Sequence, residues 1–411
     1  MSSRPTPAAR PVARPGRRPR RLERREAVFD LWLLVIAAGL LGFGFVMVAS
    51  ASMPIGDRLY GDPFFFVLRH GLALVLALAS AALCFAVPVK VWEQAGVWLL
   101  LFATLLLALL LVPGVGRTVN GATRWIPLGV LTLQPSELMK FVVVIYLCGY
   151  LVRRQQEISS TLTGFLRPML LIGLASALIM AQPDFGTTAV ILATVMALLF
   201  LGGVPVYHFI MLFGLVLAAL VALIIFEPYR LQRVTSFMNP FADPFNTGYQ
   251  LSQALIALGR GEWLGVGLGN GIQKQFYLPE AHTDFILAVV GEEFGLLGVA
   301  LVVAAFAFIT WRAFQIGACA RAAEQLFAAY TAHGLGLMLG MQAVVNAGVN
   351  TGLLPTKGLP LPFLSYGSNA LIVAAMSVAV LLRIDFELRR HAGEPIPDVV
   401  RPHGGLRWRR A

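Results

Sequence analysis

Long, uninterrupted apolar runs recur along most of the 411-residue chain, and they restrict its fold more than any other feature. A backbone inside a bilayer has to satisfy its own hydrogen bonds, so only helices or a closed barrel can cross the membrane. The runs are continuous rather than alternating, and each is close to the ~20 residues that a spanning helix needs. Hydrophobic residues make up 58% of the chain and charged residues 13%. The sequence therefore predicts an all-α polytopic membrane protein.

Ten apolar runs are present, and a long loop separates the seventh from the eighth. We predict spans at 28–50, 64–87, 92–112, 135–152, 166–182, 186–202, 206–226, 284–310, 326–349 and 369–384. The loop, residues 227–283, contains "YQLSQALIALGRGEWLG", whose apolar residues follow the i, i+3, i+4, i+7 spacing of an amphipathic helix. We therefore expect a large ordered loop rather than a tether.

Arginine is concentrated in the two tails, 1–27 and 386–411, which flank the predicted membrane domain 28–385. Residues 1–27 carry nine arginines against two acids, and residues 383–411 carry seven against four. Basic segments beside membrane spans mark the cytoplasmic side, so both termini are predicted to be cytoplasmic. Arginine-rich tails next to a membrane are more typical of topology signals than of nucleic-acid binding, so we expect no nucleic-acid partner.

In that orientation the loops 113–134, 227–283 and 350–368 lie outside and are periplasmic. They carry more basic residues than the positive-inside rule would allow: Arg117, Arg124, Arg230, Arg233, Arg260, Lys274 and Lys357. Contact with lipid phosphates is one explanation. A site for an anionic ligand on the outer face is the other, and the contribution of all three loops favours it.

Several charged residues fall at membrane depth or at its edge. Glu137 and Lys140, in "QPSELMKF", lie three residues apart, share a helix face and can pair. A purely structural pair and a functional pair are equally compatible with this spacing. Asp184, in "QPDFG", is expected to cap a turn. Glu292 and Glu293 fall inside the eighth run and should face the bundle interior or a wet cavity.

Two further stretches contain residue types that are common in ligand sites, but neither pattern is specific. "LGVGLGNGIQK" is glycine-rich, but no strand precedes it and GxxxxGK[ST] is absent, so we expect close backbone packing with Lys274 at its end. Glu280, His282 and Asp284 in "LPEAHTDF" are metal-ligand types, yet acids near a helix N-terminus are favoured anyway. We predict no metal-ligating residues.

The loop stretch "NPFADPFNTGYQ" has one ionisable side chain, Asp243, with no basic residue within five positions. Pro240 and Pro244 restrict the backbone on both sides of it. A fixed, unpaired carboxylate is what a general base requires. An Asp-Pro turn accounts for the same pattern, and local chemistry alone slightly favours the turn.

Several long motifs resemble the SEDS family of cell-wall polymerases. They are "ADPFNTGYQLSQALIALGRGEWLGVGLGNGIQKQFYLPEAHTDFILAVVGEEFG", "GLLPTKGLPLPFLSYG", "NGATRWIPLG" and "LQPSELMKF", and the likeness covers roughly 28–385. The resemblance implies a ten-span peptidoglycan glycosyltransferase of the bacterial inner membrane. Such an enzyme polymerises lipid II, an undecaprenyl-pyrophosphate-linked disaccharide peptide, into glycan strands on the outer face. "LPEAHTDF" and "LPTKGLPLPF" resemble the cell-division branch, which implies a place at the septum.

The resemblance also implies roles for individual residues. Asp243 matches the proposed catalytic base, while Glu137, Lys140 and Arg124 match positions that are important for function. Arg124, Arg233, Lys274 and Lys357 are candidates to hold the departing pyrophosphate. No cofactor is required by the sequence, and a divalent cation, Mg²⁺ or Mn²⁺, could assist.

Two positions depart from the family pattern, which usually has glycine where this chain has Asn246 and Ser368. Because asparagine tolerates left-handed backbone angles, we expect Asn246 to preserve its turn. Ser368 is expected to alter the last outer loop only slightly.

The resemblance implies partners as well: a class B penicillin-binding protein that performs crosslinking, and other divisome proteins. No Ser-x-x-Lys occurs in this chain, so a transpeptidase centre of its own is missing. Three alternatives stay open: a lipid II flippase, which the spans and intramembrane charges also suit, a structural scaffold, and the elongation polymerase of the same family. The polar groups are concentrated on one face of the membrane, whereas a transporter should have access from both faces. This concentration favours the polymerase over the flippase.

Overall fold

The computed structural model describes residues 29–119, 121–129, 131–225, 237–355 and 358–393. Two of the predicted site residues, Arg233 and Lys357, lie outside these ranges. So do the N-terminal tail and most of the C-terminal one.

The described chain is helical apart from one small sheet, which confirms the all-α polytopic class. The helices are α1 Leu31–Tyr60, α2 Phe65–Ala86, α3 Val89–Leu109, α4 Pro135–Arg153, α5 Gln155–Ser160, α6 Leu162–Ala181, α7 Phe185–Leu201, α8 Val206–Ile225, α9 Tyr249–Gly261, α10 Ile286–Ala322, α11 Leu326–Asn350 and α12 Ser368–Gly393. Each predicted span overlaps one long helix.

Within the described residues, six helices are long and apolar enough to cross a membrane: α1, α2, α3, α4, α6 and α10. Helices α7 and α8 are apolar but form shorter segments by the same measure. The multi-pass character of the protein is therefore established, while the count of ten spans remains a prediction.

Helix α4 forms the centre of the bundle. Its side chains are buried along nearly its whole length, and it packs against α3, α7 and α11. Helices α1, α2, α3 and α8 instead expose many large apolar side chains on one face, as expected for surfaces that contact lipid. Since α4 begins at Pro135, the central helix presents Glu137 and Lys140 at the end of the bundle predicted to lie outside.

A three-stranded antiparallel sheet follows α3 at this end, and the sequence analysis did not predict it. Its strands are β1 Arg117–Val119, β2 Ala122–Leu128 and β3 Leu131–Leu133, and Arg117 pairs with Trp125 in the register. Gly121 takes a positive φ of 77° in the β1–β2 turn, a conformation that favours glycine. The sheet leads directly into α4 and places Arg124 on its central strand.

Three helices differ in length from the predicted spans. Helix α1 continues to Tyr60, where Gly61 adopts a left-handed conformation and donates its backbone N–H to the carbonyl oxygen of Asp57, 2.9 Å away. Helix α12 runs into the segment predicted as a C-terminal tail. Helix α10 is longer than its predicted span and is broken at Gly295, where φ is 67° and ψ is −163°.

The described part of the loop between α8 and α10 contains two helical segments, while a large ordered loop over 227–283 remains a prediction. A 3-10 helix, Pro240–Ala242, precedes Asp243, and the amphipathic segment forms α9. Leu251, Ala254 and Ala257 are buried on one side of α9, which packs against α10.

Candidate active site

Glu137 and Lys140 form a buried ion pair in the first turns of α4. The Lys140 Nζ atom lies 2.8 Å from Oε2 of Glu137, and both side chains are almost fully buried. The predicted pairing across three residues is confirmed. Removal of either partner would leave an uncompensated charge away from water.

Asp184 connects the start of α7 to the start of α4. Its carboxylate accepts hydrogen bonds from the backbone N–H of Thr187 at 3.2 Å and the Thr187 hydroxyl at 2.9 Å, so it caps α7. The hydroxyl of Ser136, next to Glu137, donates to the same carboxylate at 3.1 Å. The capping role expected for Asp184 is confirmed, and its bond to Ser136 adds a link between two helices.

Arg124 reaches from the sheet to the α6–α7 turn. Its guanidinium donates from Nε to the Gln182 carbonyl oxygen at 2.9 Å and from Nη2 to the Pro183 carbonyl oxygen at 2.6 Å. Both acceptors are neutral, and within the described parts of the chain no carboxylate forms a salt bridge with Arg124. Its positive charge is therefore available to an anion.

Asp284, just before α10, completes this group. Its carboxyl interacts electrostatically with the charged groups of Glu280, Arg124 and Asp184. The Asp284 backbone carbonyl accepts hydrogen bonds from the side-chain amides of Asn346 and Asn350, at 3.0 and 3.1 Å. The sequence suggests only a generic metal-ligand role for Asp284, because its neighbours in the fold come from distant segments.

The Asp243 carboxylate is held by its own turn. Oδ1 accepts a hydrogen bond from the Asn246 side-chain amide at 3.0 Å, and Oδ2 accepts from the backbone N–H and hydroxyl of Thr247 at 3.3 and 3.1 Å. The Asn246 bond is the largest of the effects that hold the pKa of Asp243 below its ordinary value. Among the described residues no cation forms a salt bridge with Asp243.

Gly248 and Asn246 support the Asp243 turn in different ways. A Cβ atom on Gly248 would lie 2.2 Å from the Pro240 carbonyl oxygen, so only glycine fits there. Asn246 preserves the turn, as expected, but it does so through its side-chain amide rather than through a left-handed backbone, since its φ is not positive.

Lys274 lies in a second buried ion pair. Its Nζ atom is 2.5 Å from Oε1 of Glu293 and 2.6 Å from the hydroxyl of Ser50 in α1. Arg260 pairs in the same way with Glu292, at 2.6 Å. Glu292 and Glu293 therefore face the protein interior, as predicted, and Lys274 is already neutralised. Its assignment as a substrate ligand remains a prediction.

Among the described residues, no group of three or more His, Cys, Asp or Glu side chains could hold a metal ion. Within "LPEAHTDF" the three candidate side chains have separate surroundings. Glu280 accepts a hydrogen bond from the Thr283 hydroxyl at 2.7 Å, and the His282 ring packs against the rings of Phe66 and Tyr366. These separate contacts do not support a metal site in this stretch.

The fold defines a multi-pass membrane protein with a group of polar residues at one end of its helix bundle. A family described as cell cycle protein, comprising FtsW, RodA and SpoVE, matches residues 31–390. The chain belongs to this family.

Its relatives include proteins named probable peptidoglycan glycosyltransferase FtsW. The one from Allochromatium vinosum is 58% identical over 90% of this chain and 93% of its own length. The one from Coxiella burnetii is 50% identical over 87% of this chain and 96% of its own. The division branch expected from the motifs is thus confirmed.

Solved structures share the fold. A chain from a study of how a peptidoglycan synthase complex coordinates polymerisation and crosslinking is 29% identical, with a TM-score of 0.71 over 88% of this chain and 98% of that one. The rod shape determining protein RodA of Thermus thermophilus is 29% identical, with a TM-score of 0.63 over 88% of this chain and 98% of its own.

Proposed function

We propose that this FtsW-like protein is a peptidoglycan glycosyltransferase that polymerises lipid II during cell division, with Asp243 as its general base. The family match over 31–390 and the FtsW names of its relatives support the activity. The observation that carries the catalytic assignment is the Asp243 carboxylate, which is ionised, oriented by its own turn and without a salt bridge among the described residues.

The hydrogen bonds of Asp243 indicate which oxygen accepts the proton. A carboxylate offers about four lone-pair sites. Among the described residues, Oδ2 accepts from the N–H and the hydroxyl of Thr247, and Oδ1 accepts from the side-chain amide of Asn246. We infer that Oδ1 takes the proton of the acceptor sugar's hydroxyl, while these hydrogen bonds fix the direction of the carboxylate.

The reaction is an inverting displacement. The 4-hydroxyl oxygen of the acceptor sugar attacks the anomeric carbon of the donor, and the bond from that carbon to the lipid pyrophosphate breaks. The hydroxyl proton passes to Oδ1 of Asp243, and the electron pair leaves with the pyrophosphate. General base catalysis of this kind contributes about 10²–10⁴-fold to the rate.

The departing pyrophosphate needs positive charge rather than a proton. Arg124 suits this role because its hydrogen-bond partners among the described residues are neutral carbonyl oxygens. Lys140 is on the helix that the Ser136–Asp184 hydrogen bond joins to the same α6–α7 turn, although Glu137 balances its charge. Arg233 and Lys357 remain proposed ligands on sequence grounds. Lys274 is the weakest candidate because Glu293 neutralises it.

Mg²⁺ or Mn²⁺ assistance remains a prediction, to be tested by adding each ion back to chelator-treated enzyme. The residues do not offer a resident site in the described chain, so a cation would arrive with the pyrophosphate of the substrate.

The cellular arrangement is also part of the proposal. Ten spans, cytoplasmic termini and the loop 227–283 on the periplasmic face would bring Asp243 to the leaflet where glycan strands are made. A class B penicillin-binding protein would crosslink the product at the septum together with other divisome proteins. The related chain studied in a peptidoglycan synthase complex supports such a partner.

The experiment is lipid II polymerisation by purified protein in detergent, with and without a cognate class B transpeptidase. We expect glycan chains, separable by gel electrophoresis, in at least the reaction with the partner. Detergent micelles have no leaflets, so chain formation there cannot result from lipid transport or scaffolding. Failure to form chains in both reactions, with folded protein, would contradict the proposal.

A further inference from the structure

The break in α10 is filled by a segment of the outer loop. A helix interruption leaves backbone groups on either side without their usual partners. Here the N–H groups of Val266 and Gly267 donate to the carbonyl oxygens of Glu292 and Glu293, each at 3.0 Å. On the other side of Gly295, the N–H groups of Leu296 and Leu297 donate to the carbonyl oxygens of Glu262 and Trp263, at 2.9 and 3.2 Å. Residues 262–267 thus restore the hydrogen bonds that the break removes.

Glycines make this insertion possible. A Cβ atom on Gly261 would lie 1.8 Å from the Gly291 carbonyl oxygen, and one on Gly265 would lie 2.2 Å from that of Glu293. Gly265 and Gly295 also have positive φ values of 81° and 67°. The loop therefore contacts the helix backbone directly, in a geometry that side chains would prevent.

Glu292 contacts the chain on both sides of the inserted segment 262–267. Its fully buried carboxylate lies 2.6 Å from Nη1 of Arg260, in the last turn of α9. It also accepts hydrogen bonds from the backbone N–H groups of Ile272 and Gln273, at 2.8 and 3.1 Å. A single carboxylate thus connects α9, the glycine-rich segment and α10.

Glu293 connects the same loop to α1. Oε1 lies 2.5 Å from Nζ of Lys274 and 2.8 Å from the Ser50 hydroxyl, while Oε2 lies 3.0 Å from that hydroxyl. Lys274 also donates to Ser50 at 2.6 Å. Ser50, Lys274 and Glu293 therefore form a closed triangle between three separate segments.

Helix α9 connects these anchoring contacts to the loop that carries the candidate base, Asp243. Its C-terminal end is held by Glu292 through Arg260, and its first turn is joined to the Asp243 loop. There the Ser252 hydroxyl donates to the Pro240 carbonyl oxygen at 2.9 Å, and the N–H of Gly248 donates to the Asp243 carbonyl oxygen at 3.1 Å. The path from the break in α10 to Asp243 consists of one short helix and direct hydrogen bonds.

We propose that Glu292 and Glu293 are positioning residues, which hold the loop carrying Asp243 in its reactive place by anchoring it to the broken helix α10 and to α1. This inference rests on the proposed role of Asp243. It gives Lys274 a role in anchoring the loop rather than in binding pyrophosphate.

The test compares Glu292→Gln, Glu293→Gln, Lys274→Met and the charge-swapped double variant Lys274→Glu/Glu293→Lys. Glu157→Gln serves as the control, because Glu157 pairs with Arg154 and Arg167 in an exposed network away from this site. Two quantities are measured: amide hydrogen exchange over 240–261, and kcat and KM for lipid II polymerisation. Size-exclusion chromatography verifies that each variant is folded.

We expect each single variant to increase exchange over 240–261 and to lower kcat at least tenfold, with KM changed less than about threefold. The swapped variant should recover exchange protection and part of kcat, and Glu157→Gln should match wild type. Unchanged exchange and kcat in folded single variants would overturn the inference, as would a swapped variant no better than either single variant.

Asp243→Asn, measured in parallel, separates this inference from the proposed function. If Asp243→Asn is inactive while the single variants behave as wild type, only the positioning role fails. If Asp243→Asn retains activity, the proposed base is wrong, and hydrogen exchange alone then decides whether Glu293 and Lys274 anchor the loop.

Discussion

Asp243 combines two properties that a general base needs: it is ionised, and its direction is fixed. Both come from the donors in its own turn, which also hold its pKa below the ordinary value. A lower pKa makes a weaker proton acceptor, but it keeps the carboxylate charged over a wider range of pH. The turn and the general base, which the local sequence presents as alternatives, are therefore compatible at this residue.

Replacing Asn246 by the glycine usual in the family tests this electrostatic effect. Asn246→Gly removes the amide that donates to Oδ1, so the pKa of Asp243 should rise toward its ordinary value. A general base is active when deprotonated, and the acidic limb of the kcat/KM profile should therefore move to higher pH. An unchanged limb, or one that moves to lower pH, would contradict this assignment.

The structural and the functional role of the Glu137–Lys140 ion pair can be tested separately. Lys140→Met should destabilise the protein by about 3–5 kcal/mol, because Glu137 would remain charged and buried. The double variant Glu137→Gln/Lys140→Met should recover most of that stability in thermal unfolding. If polymerisation returns with stability, the pair is only structural; if the stable double variant is inactive, the pair also serves the reaction.

At the scale of elements, apolar runs predict where helices occur but not where they break. The run 284–310 has the composition of one unbroken spanning helix. In such a helix all backbone hydrogen bonds would be made within the run itself. The break at Gly295 depends on donors and acceptors from residues 262–267, which no local pattern reveals. The sheet 117–133 is missed for a related reason, since its three strands are short and depend on their pairing.

Gly295→Ala tests the broken helix against a control in α1. Alanine at Gly295 would require a backbone conformation that is almost restricted to glycine, at a cost of order 1–3 kcal/mol, and its Cβ would lie 2.5 Å from the backbone nitrogen of Gly265. Gly39→Ala has open space and helical geometry, so it should be neutral or slightly stabilising. Equal melting temperatures for the two variants would contradict the break.

At the scale of the whole molecule, the candidate site forms where the sheet, the α6–α7 turn and the segment before α10 meet. The pairing of Glu137 with Lys140 could be predicted because it lies within one helix turn. The approach of Arg124 to the 182–184 turn and to Asp284 could not, because it depends on how distant segments pack. The long family motifs identified the class of enzyme without revealing this packing.

The predicted orientation can be tested by labelling cysteines in whole cells, in a background without Cys84, Cys148 and Cys319. Asp62→Cys, between α1 and α2, should react with a membrane-impermeant maleimide, whereas Glu157→Cys, after α4, should react only after the cells are permeabilised. The reverse pattern would contradict cytoplasmic termini and would place Asp243 on the wrong side for lipid II polymerisation.

The most direct test of the central claim is lipid II polymerisation by Asp243→Asn beside Asp62→Asn. Asp62 is a matched control, because it is an exposed carboxylate whose Oδ1 accepts a hydrogen bond from its own turn, from the Phe64 N–H at 2.9 Å. We predict that Asp243→Asn forms no glycan chains while Asp62→Asn forms them at the wild-type rate. Near-normal chain synthesis by folded Asp243→Asn would contradict the account.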